Sequence, residues 1–155
     1  MGISTDGQIC YGVLFEDDYE FPWDAEEYGG DIEAWWRAVN GYQPPFELYD
    51  SDGNYLDGIE PPQMRIDAYF GARHEWDEQH AVPVARVNAC SGDHPLYIVA
   101  VPSTVRKAYR GWPETFNPTD LQVDSTAVDE LCEFCDKYGL AYQGEPAWYL
   151  SSYYG

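Results

Sequence analysis

Positive charge is what this sequence has least of. Eight Lys and Arg stand against 28 Asp and Glu, a formal net charge of −20 at pH 7. Lysine occurs only as Lys107 and Lys137. A chain this acidic repels phosphate backbones and anionic lipid, so neither direct nucleic-acid binding nor membrane binding is expected. Long apolar runs are missing too. No stretch of 18 apolar residues occurs, which excludes a spanning helix of ordinary length. The opening "MGISTDGQIC" has neither a basic region nor an apolar core, so it does not read as a secretory signal. Asp6 stands where the N-myristoylation pattern needs Ser or Thr. The expected location is therefore cytoplasmic, with the four cysteines reduced.

Catalytic signatures are equally scarce. No GxSxG, HExxH, phosphate-loop or dinucleotide glycine pattern is present, and no Ser has a His in a recognisable motif. Carboxylates are too plentiful for any pair to be singled out as an acid–base couple. The expectation is a non-enzyme with no cofactor. There are no repeats and no low-complexity tract.

What is present is a foldable chain. Its 155 residues fit a single domain, 1–155, long enough for an ordinary core. The hydrophobic fraction is 45% and the aromatic fraction 17%, with 14 Tyr. That many rings argue against disorder despite the charge.

Apolar and β-branched residues predict a strand over 8–15, after a turn at Asp6-Gly7. Residues 16–30 read as an acidic loop interrupted by Pro22. Asp31 is placed as the N-cap of a helix bearing Ile32, Trp35, Trp36 and Val39 at helical spacing, with Gly41 as its stop. Residues 41–62 read as loop, with a short strand at 46–49. A second helix is predicted from Pro61 or Pro62 to Gln79, with Ile66, Tyr69, Phe70 and Arg73 on one face. Strands at 83–89 and 96–101 form a hairpin, and 102–120 is irregular. The clearest helix spans 124–138, capped by Asp124 and stopped by Gly139, with Val128, Leu131, Cys132 and Cys135 as its buried stripe. A last strand covers 145–152. The predicted fold class is α+β: an antiparallel or mixed sheet of about four strands with about three helices packed on it.

The charge is blocky. Residues 16–60 hold 14 acids and one base, Arg37; residues 61–113 hold 5 acids and 6 bases; residues 114–136 hold 7 acids and no base. On the last helix, Asp129, Glu133 and Asp136 fall at i, i+4, i+7, opposite the apolar stripe. Like charges spaced in this way cost a few tenths of a kcal/mol per pair, so helix stability does not explain them. Presentation to a basic groove does. The expected partner-binding set is Glu16, Asp17, Asp18, Tyr19, Glu20, Trp23, Asp24, Glu26, Glu27 and Tyr28, then Asp50, Asp52 and Asp57, then Asp129, Glu133 and Asp136. In this reading acids steer a basic partner while Tyr19, Phe21, Trp23 and Tyr28 supply contact area at the edge. Trp35, Trp36, Tyr69 and Phe70 are assigned to the core. The competing reading is a solvated acidic surface serving solubility, of which a halophilic host is one version.

Two sets of side chains have the composition of metal ligands. Cys132 and Cys135 with Cys90 and His94 make four soft ligands, the number a structural zinc takes, though in a non-standard spacing. Buried structural thiols explain the helical pair better, and a redox CxxC normally sits at a helix N-terminus. Asp50, Asp52 and Asn54 match the start of a calcium loop, but Tyr55 and Pro61 replace the required Gly and Glu.

The stretch "MGISTDGQICYGVLFEDDYEFPWD" resembles the start of small proteins encoded by tailed phages. With the size and acidity, the whole resembles the small acidic inhibitors that phages use against host defence, including anti-CRISPR proteins and DNA mimics. The resemblance implies a viral protein in the host cytoplasm that binds a basic nucleic-acid-binding complex without catalysis. A phage accessory or structural protein, and a small metal-binding module or enzyme, are the alternatives.

Overall fold

The computed structural model describes residues 5–44, 47–91 and 95–154. The chain divides into two compact units, Met1–Pro22 with Pro83–Gly155, and Trp23–Val82. The second is thus inserted in sequence into the first.

The first unit is built around β1 (Thr5–Leu14). Its other strands are β2 (Ala85–Ser91), β3 (Pro95–Ala100), β4 (Arg106–Ala108) and β5 (Gln143–Tyr154). Strand order is β3-β2-β5-β1-β4, with a further β3–β1 pairing. All pairings are antiparallel except a short parallel one between β2 and β5, at Cys90 with Tyr153 and Ser91 with Tyr154. The pairings β1–β3, β3–β2, β2–β5 and β5–β1 therefore close on themselves, and β4 shares the edge of β1 with β3. The fold is α+β with a five-stranded mixed sheet and three helices, as the sequence predicts. The strand beyond the expected four is β4, which arises within the stretch read as irregular. "RKA" carries no apolar alternation, and it is a strand only because Gly7–Ile9 offers it a backbone edge.

Up to Gly12 the inward positions of β1 follow its period of two; at the register shift between Gly12 and Leu14, Val13 is also fully buried. Gln8, Cys10 and Gly12 are buried, and Ile9 and Tyr11 are half-buried. Cys10 forms the centre of a core cluster with Val87, Ile98 and Ala100, flanked by Leu14, Val105 and Tyr149. The Gln8 amide donates across this interior to the backbone carbonyl of Asn88 on β2, a strand that does not pair with β1.

Thr104 fixes the chain after β3. It is buried, accepts the Tyr11 N–H at 2.9 Å and donates to the Val101 carbonyl at 2.7 Å. Thr104→Val keeps the shape but strands the Tyr11 N–H. A loss of about 1–3 kcal/mol is expected, read as a lower denaturation midpoint, with Thr104→Ser recovering most of it.

The helix of this unit, α3 (Ser125–Lys137), starts where predicted. The Asp124 carboxylate accepts the Thr126 N–H at 3.1 Å, and Gly139 follows with φ +65°. Its buried residues are Leu131, Phe134 and Cys135, with Val128 and Cys132 half-buried. The stripe thus keeps Leu131 and Cys135 of the expected set and adds Phe134, while Cys132 stands at its margin.

The second unit holds α1 (Ile32–Val39) and α2 (Gln63–Gln79). Asp31 caps α1 through the N–H groups of Glu33 and Ala34, at 2.9 and 3.1 Å. Arg37, the sole base of residues 16–60, joins the two helices. Its Nη2 lies 2.9 Å from Asp77, which also takes Arg73 Nε at 3.1 Å, and both guanidinium groups stand 5.3 Å from the centre of the Trp76 ring. No residue of α2 is fully buried. Phe70, assigned to the core, is 54% exposed, while Trp35 is buried and Trp36 and Tyr69 are half-buried. In place of the predicted strand at 46–49 there is one antiparallel bridge, Tyr49 to Tyr55; Phe46 lies outside the described residues.

Candidate functional site

The acidic loop after β1 sorts its side chains strictly. Phe15 and Phe21 are buried and Tyr19 is half-buried, while Glu16, Asp17, Asp18 and Glu20 are exposed. The three rings form a triangle with every centroid pair 4.8 Å apart. Around it stand Tyr97, 5.5 Å from Phe21, and Tyr142, 6.4 Å from Phe15. The Arg86 guanidinium lies 4.3 Å from the Tyr97 ring centre and 5.8 Å from that of Phe21. Edge-to-face contacts of this kind add about 0.5–1.5 kcal/mol per pair beyond area burial. The interleaving of acids and rings is thus an inside–outside alternation rather than a mixed contact surface.

The same rings bring the loop to the end of α3. The Tyr19 hydroxyl accepts the Ala141 N–H at 3.1 Å, and the Gln143 amide donates to Glu16 at 3.2 Å. Tyr142, between them, has its phenol held above the ordinary value, first by burial and then by Cys132 and the nearby Asp136 carboxylate. Two acidic segments more than a hundred positions apart are therefore tied at one corner of the unit. From that corner Asp136, Glu133 and Asp129 run back along α3, all exposed, over about 10 Å at 1.5 Å per residue.

The remaining expected contacts fall in the second unit and divide by role. Asp24, Glu26, Glu27 and Asp52 are exposed. Trp23 is fully buried and offers no ring to a partner, which corrects its assignment as an edge anchor; Phe21 is corrected on the same ground. Tyr28 is half-buried, its phenol raised by a hydrogen bond to Glu27. Asp50 spends one carboxylate oxygen on its own turn, accepting the N–H groups of Asp52 and Asn54 at 2.9 and 2.8 Å, which holds its carboxyl below the usual range. Asp57 is paired with Arg65 at 2.9 Å, so its charge is partly compensated.

All four cysteines are free thiols. Of the zinc set, His94 lies outside the described residues, and among the described residues no three His, Cys, Asp or Glu side chains converge on a metal position. Burial pushes the Cys10 thiol up to about 11 and that of Cys135 to about 12. Both values exceed that of an unfolded thiol. Their contribution to stability is thus complete below the unfolded value and fades as pH rises toward 11–12. Native protein at pH 8 should leave both thiols unalkylated by iodoacetamide, and denatured protein should not. Among the described residues no helix is long and apolar enough to cross a membrane.

No family model matches the chain, and neither the curated proteins nor the solved structures contain a match to it. No local pattern in the sequence marks the aromatic triangle, Arg86 or Tyr142. Phe15, Tyr19 and Phe21 lie in an irregular loop with no period to read, and the ring and guanidinium that surround them, Tyr142 and Arg86, come from far along the chain, beyond any local spacing rule.

Proposed function

We propose that the protein acts by stoichiometric binding rather than catalysis, placing its acidic corner in a Lys/Arg-lined nucleic-acid site of a partner. The observation that carries this reading is the joining of two exposed acidic segments, Glu16, Asp17, Asp18 and Glu20 with Asp129, Glu133 and Asp136, over a packed aromatic base. The base holds the loop in one conformation, so little ordering entropy is lost when it docks. Carboxylates at helical spacing offer a basic groove a row of charge such as a phosphate backbone offers. The phage resemblance extends this to a class of target: a host defence complex that binds nucleic acid, inhibited as an anti-CRISPR protein or DNA mimic inhibits, in the host cytoplasm.

A phage accessory role in which acidity serves solubility is the second reading. It is favoured by Asp50 and Asp57, whose carboxylates are committed within their own unit.

Affinity capture from bacterial lysate, followed by association kinetics on the captured complex, tests the proposal. A basic nucleic-acid-binding complex should be retained, and its on-rate should fall steeply with salt, because steering is screened beyond about 8–10 Å. The double variant Glu133→Lys, Asp136→Lys should slow association about tenfold with an unchanged melting temperature. An on-rate indifferent to both salt and charge reversal would refute the reading.

A further inference from the structure

The second unit leaves apolar side chains in water. Its helix α2 buries no residue fully over 17 positions, with Met64 83% exposed and Phe70 54%. The loop before it adds Leu56 at 54% and Ile59 at 75%. Such residues are ordinary when scattered singly and mark a contact site when they gather around one feature. Here they gather around a groove.

Arg65, Ala68 and Tyr69 share one side of α2, at i, i+3 and i+4. With Glu47 and Leu48 they line a hollow of about 280 Å³ that opens to solvent. A shallower cleft adjoins it, lined by Leu48, Tyr55, Ile59, Pro61 and the ion pair of Asp57 with Arg65. Leu48 and Arg65 belong to both, so hollow and cleft form one groove between α2 and the loop. Its floor is firm, because Leu48 is 5% exposed and Pro61 is buried. The other exposed apolar groups flank it. Leu56 donates its N–H to the Leu48 carbonyl at 3.1 Å, the Phe70 ring stands 5.3 Å from that of Tyr69, and Met64 lies one helical turn from Ala68. The groove is negative. Glu47 is exposed on its wall. The Tyr55 phenol is held above its ordinary value, first by its hydrogen bond to Tyr49 and last by the Glu60 carboxylate, which sets Glu60 nearby. Arg65, the base on the wall, is committed to Asp57 at 2.9 Å. Residues 23–82 as a whole hold 14 acids and three bases.

We infer that this groove binds a basic amphipathic helix of a partner protein, with apolar side chains seated in the hollow and the cleft and Lys or Arg beside Glu47 and Glu60. The hollow is smaller than the about 300–1,000 Å³ of most small-molecule sites, so it suits a side chain of a larger partner. Two adjoining depressions that share a wall match two anchors from one helix face, which stand about 5–6 Å apart at i and i+4. The acids select the sign of the flanking charge. A second copy of this chain lacks the required chemistry, since none of its three helices carries an excess of base. All residues of the groove lie in the second unit, so it is separate from the acidic corner of the first.

The test is fluorescence anisotropy of the full chain with a labelled peptide of about 18 residues, long enough to form a helix. The peptide contains only Leu and Lys, with Leu at helical spacing, and a scrambled peptide of the same composition is the control. Saturable one-to-one binding is expected, with a gain of peptide helix in circular dichroism and at least about tenfold weaker binding of the scrambled peptide. Ile59→Ser should weaken binding about fivefold, and Glu47→Lys should slow association and flatten its salt dependence. Glu133→Lys with Asp136→Lys, on α3 of the first unit, should leave binding within about twofold. Ile59 and Glu47 are exposed, so the melting temperatures of their variants should not move. No saturable binding overturns the proposal. So does equal binding of the scrambled peptide, or a loss in the α3 variant as large as in Glu47→Lys, since either would reduce it to general attraction of cations. Self-association in sedimentation that vanishes in Ile59→Ser, without peptide binding, would assign the groove to a second copy and overturn it as well.

Discussion

Gly12→Val is expected to unfold the first unit or bring it close to unfolding. Gly12 lies in β1 opposite Ala100 on one side and Ala147 on the other. A Cβ built on it collides with the Val99 carbonyl oxygen and comes within 2.8 Å of the Ala100 Cα and 3.0 Å of Ile98 Cγ2. Two of those three atoms are backbone of β3 and cannot rotate away. Overpacking in a well-filled core costs about 1–3 kcal/mol when side chains yield, and more when they cannot. We expect at least about 3 kcal/mol, and at about 2–4 °C per kcal/mol for this chain length the melting temperature should fall by about 6–12 °C or more. Gly7→Ala is the internal control. It lies on the same strand, its nearest neighbour is the Ala108 carbonyl at 4.0 Å, and it should be near neutral. Equal melting temperatures for the two variants would show that β1 and β3 do not approach as described.

Phe15→Ala should be nearly as damaging and more informative. Phe15 is fully buried and touches Tyr19, Phe21 and Tyr142. Truncating a buried Phe costs about 3–5 kcal/mol, measurable in urea. It also removes the ring on which the acidic loop rests, so protease cutting within 16–20 should accelerate more than at sites in the second unit. Glu16→Gln and Asp17→Asn change charge only, on exposed side chains, and should stay within about 0.5 kcal/mol of the parent. A Phe15→Ala protein whose loop remains protected would separate loop order from the aromatic triangle.

Local signals were strong enough to place most elements. Asp31 and Asp124 announce helix starts, Gly41 and Gly139 the stops, and the apolar, partly β-branched run "QICYGVLF" marks β1. Short-range chemistry decides these features, and a sequence displays it. What failed depended on distance along the chain. β4 has no strand pattern of its own. Phe134 and Cys132 both fit a helical stripe, and only the shape of the surrounding core chooses Phe134. Phe21 and Trp23 looked too crowded among acids to bury, because alternation in an irregular loop has no fixed period to read. Phe70 looked interior because it sits beside Tyr69 and Ile66, yet α2 has no fully buried position for it to occupy.

The pairing of β1 with β5 also governs the order in which the molecule can be completed. Ile9 waits for Leu150, roughly 140 positions later, and such non-local closures are the slow ones. During synthesis the segment Trp23–Val82 leaves the ribosome with its helices and its Arg37–Asp77 link already local to it. β1 can pair along one edge with β3 and β4 as they emerge, but its other edge remains bare until β5 arrives. A chaperone that shields unpaired strands should therefore raise the yield of soluble protein more than one that acts on helices, and slower translation past residue 82 should bring no gain.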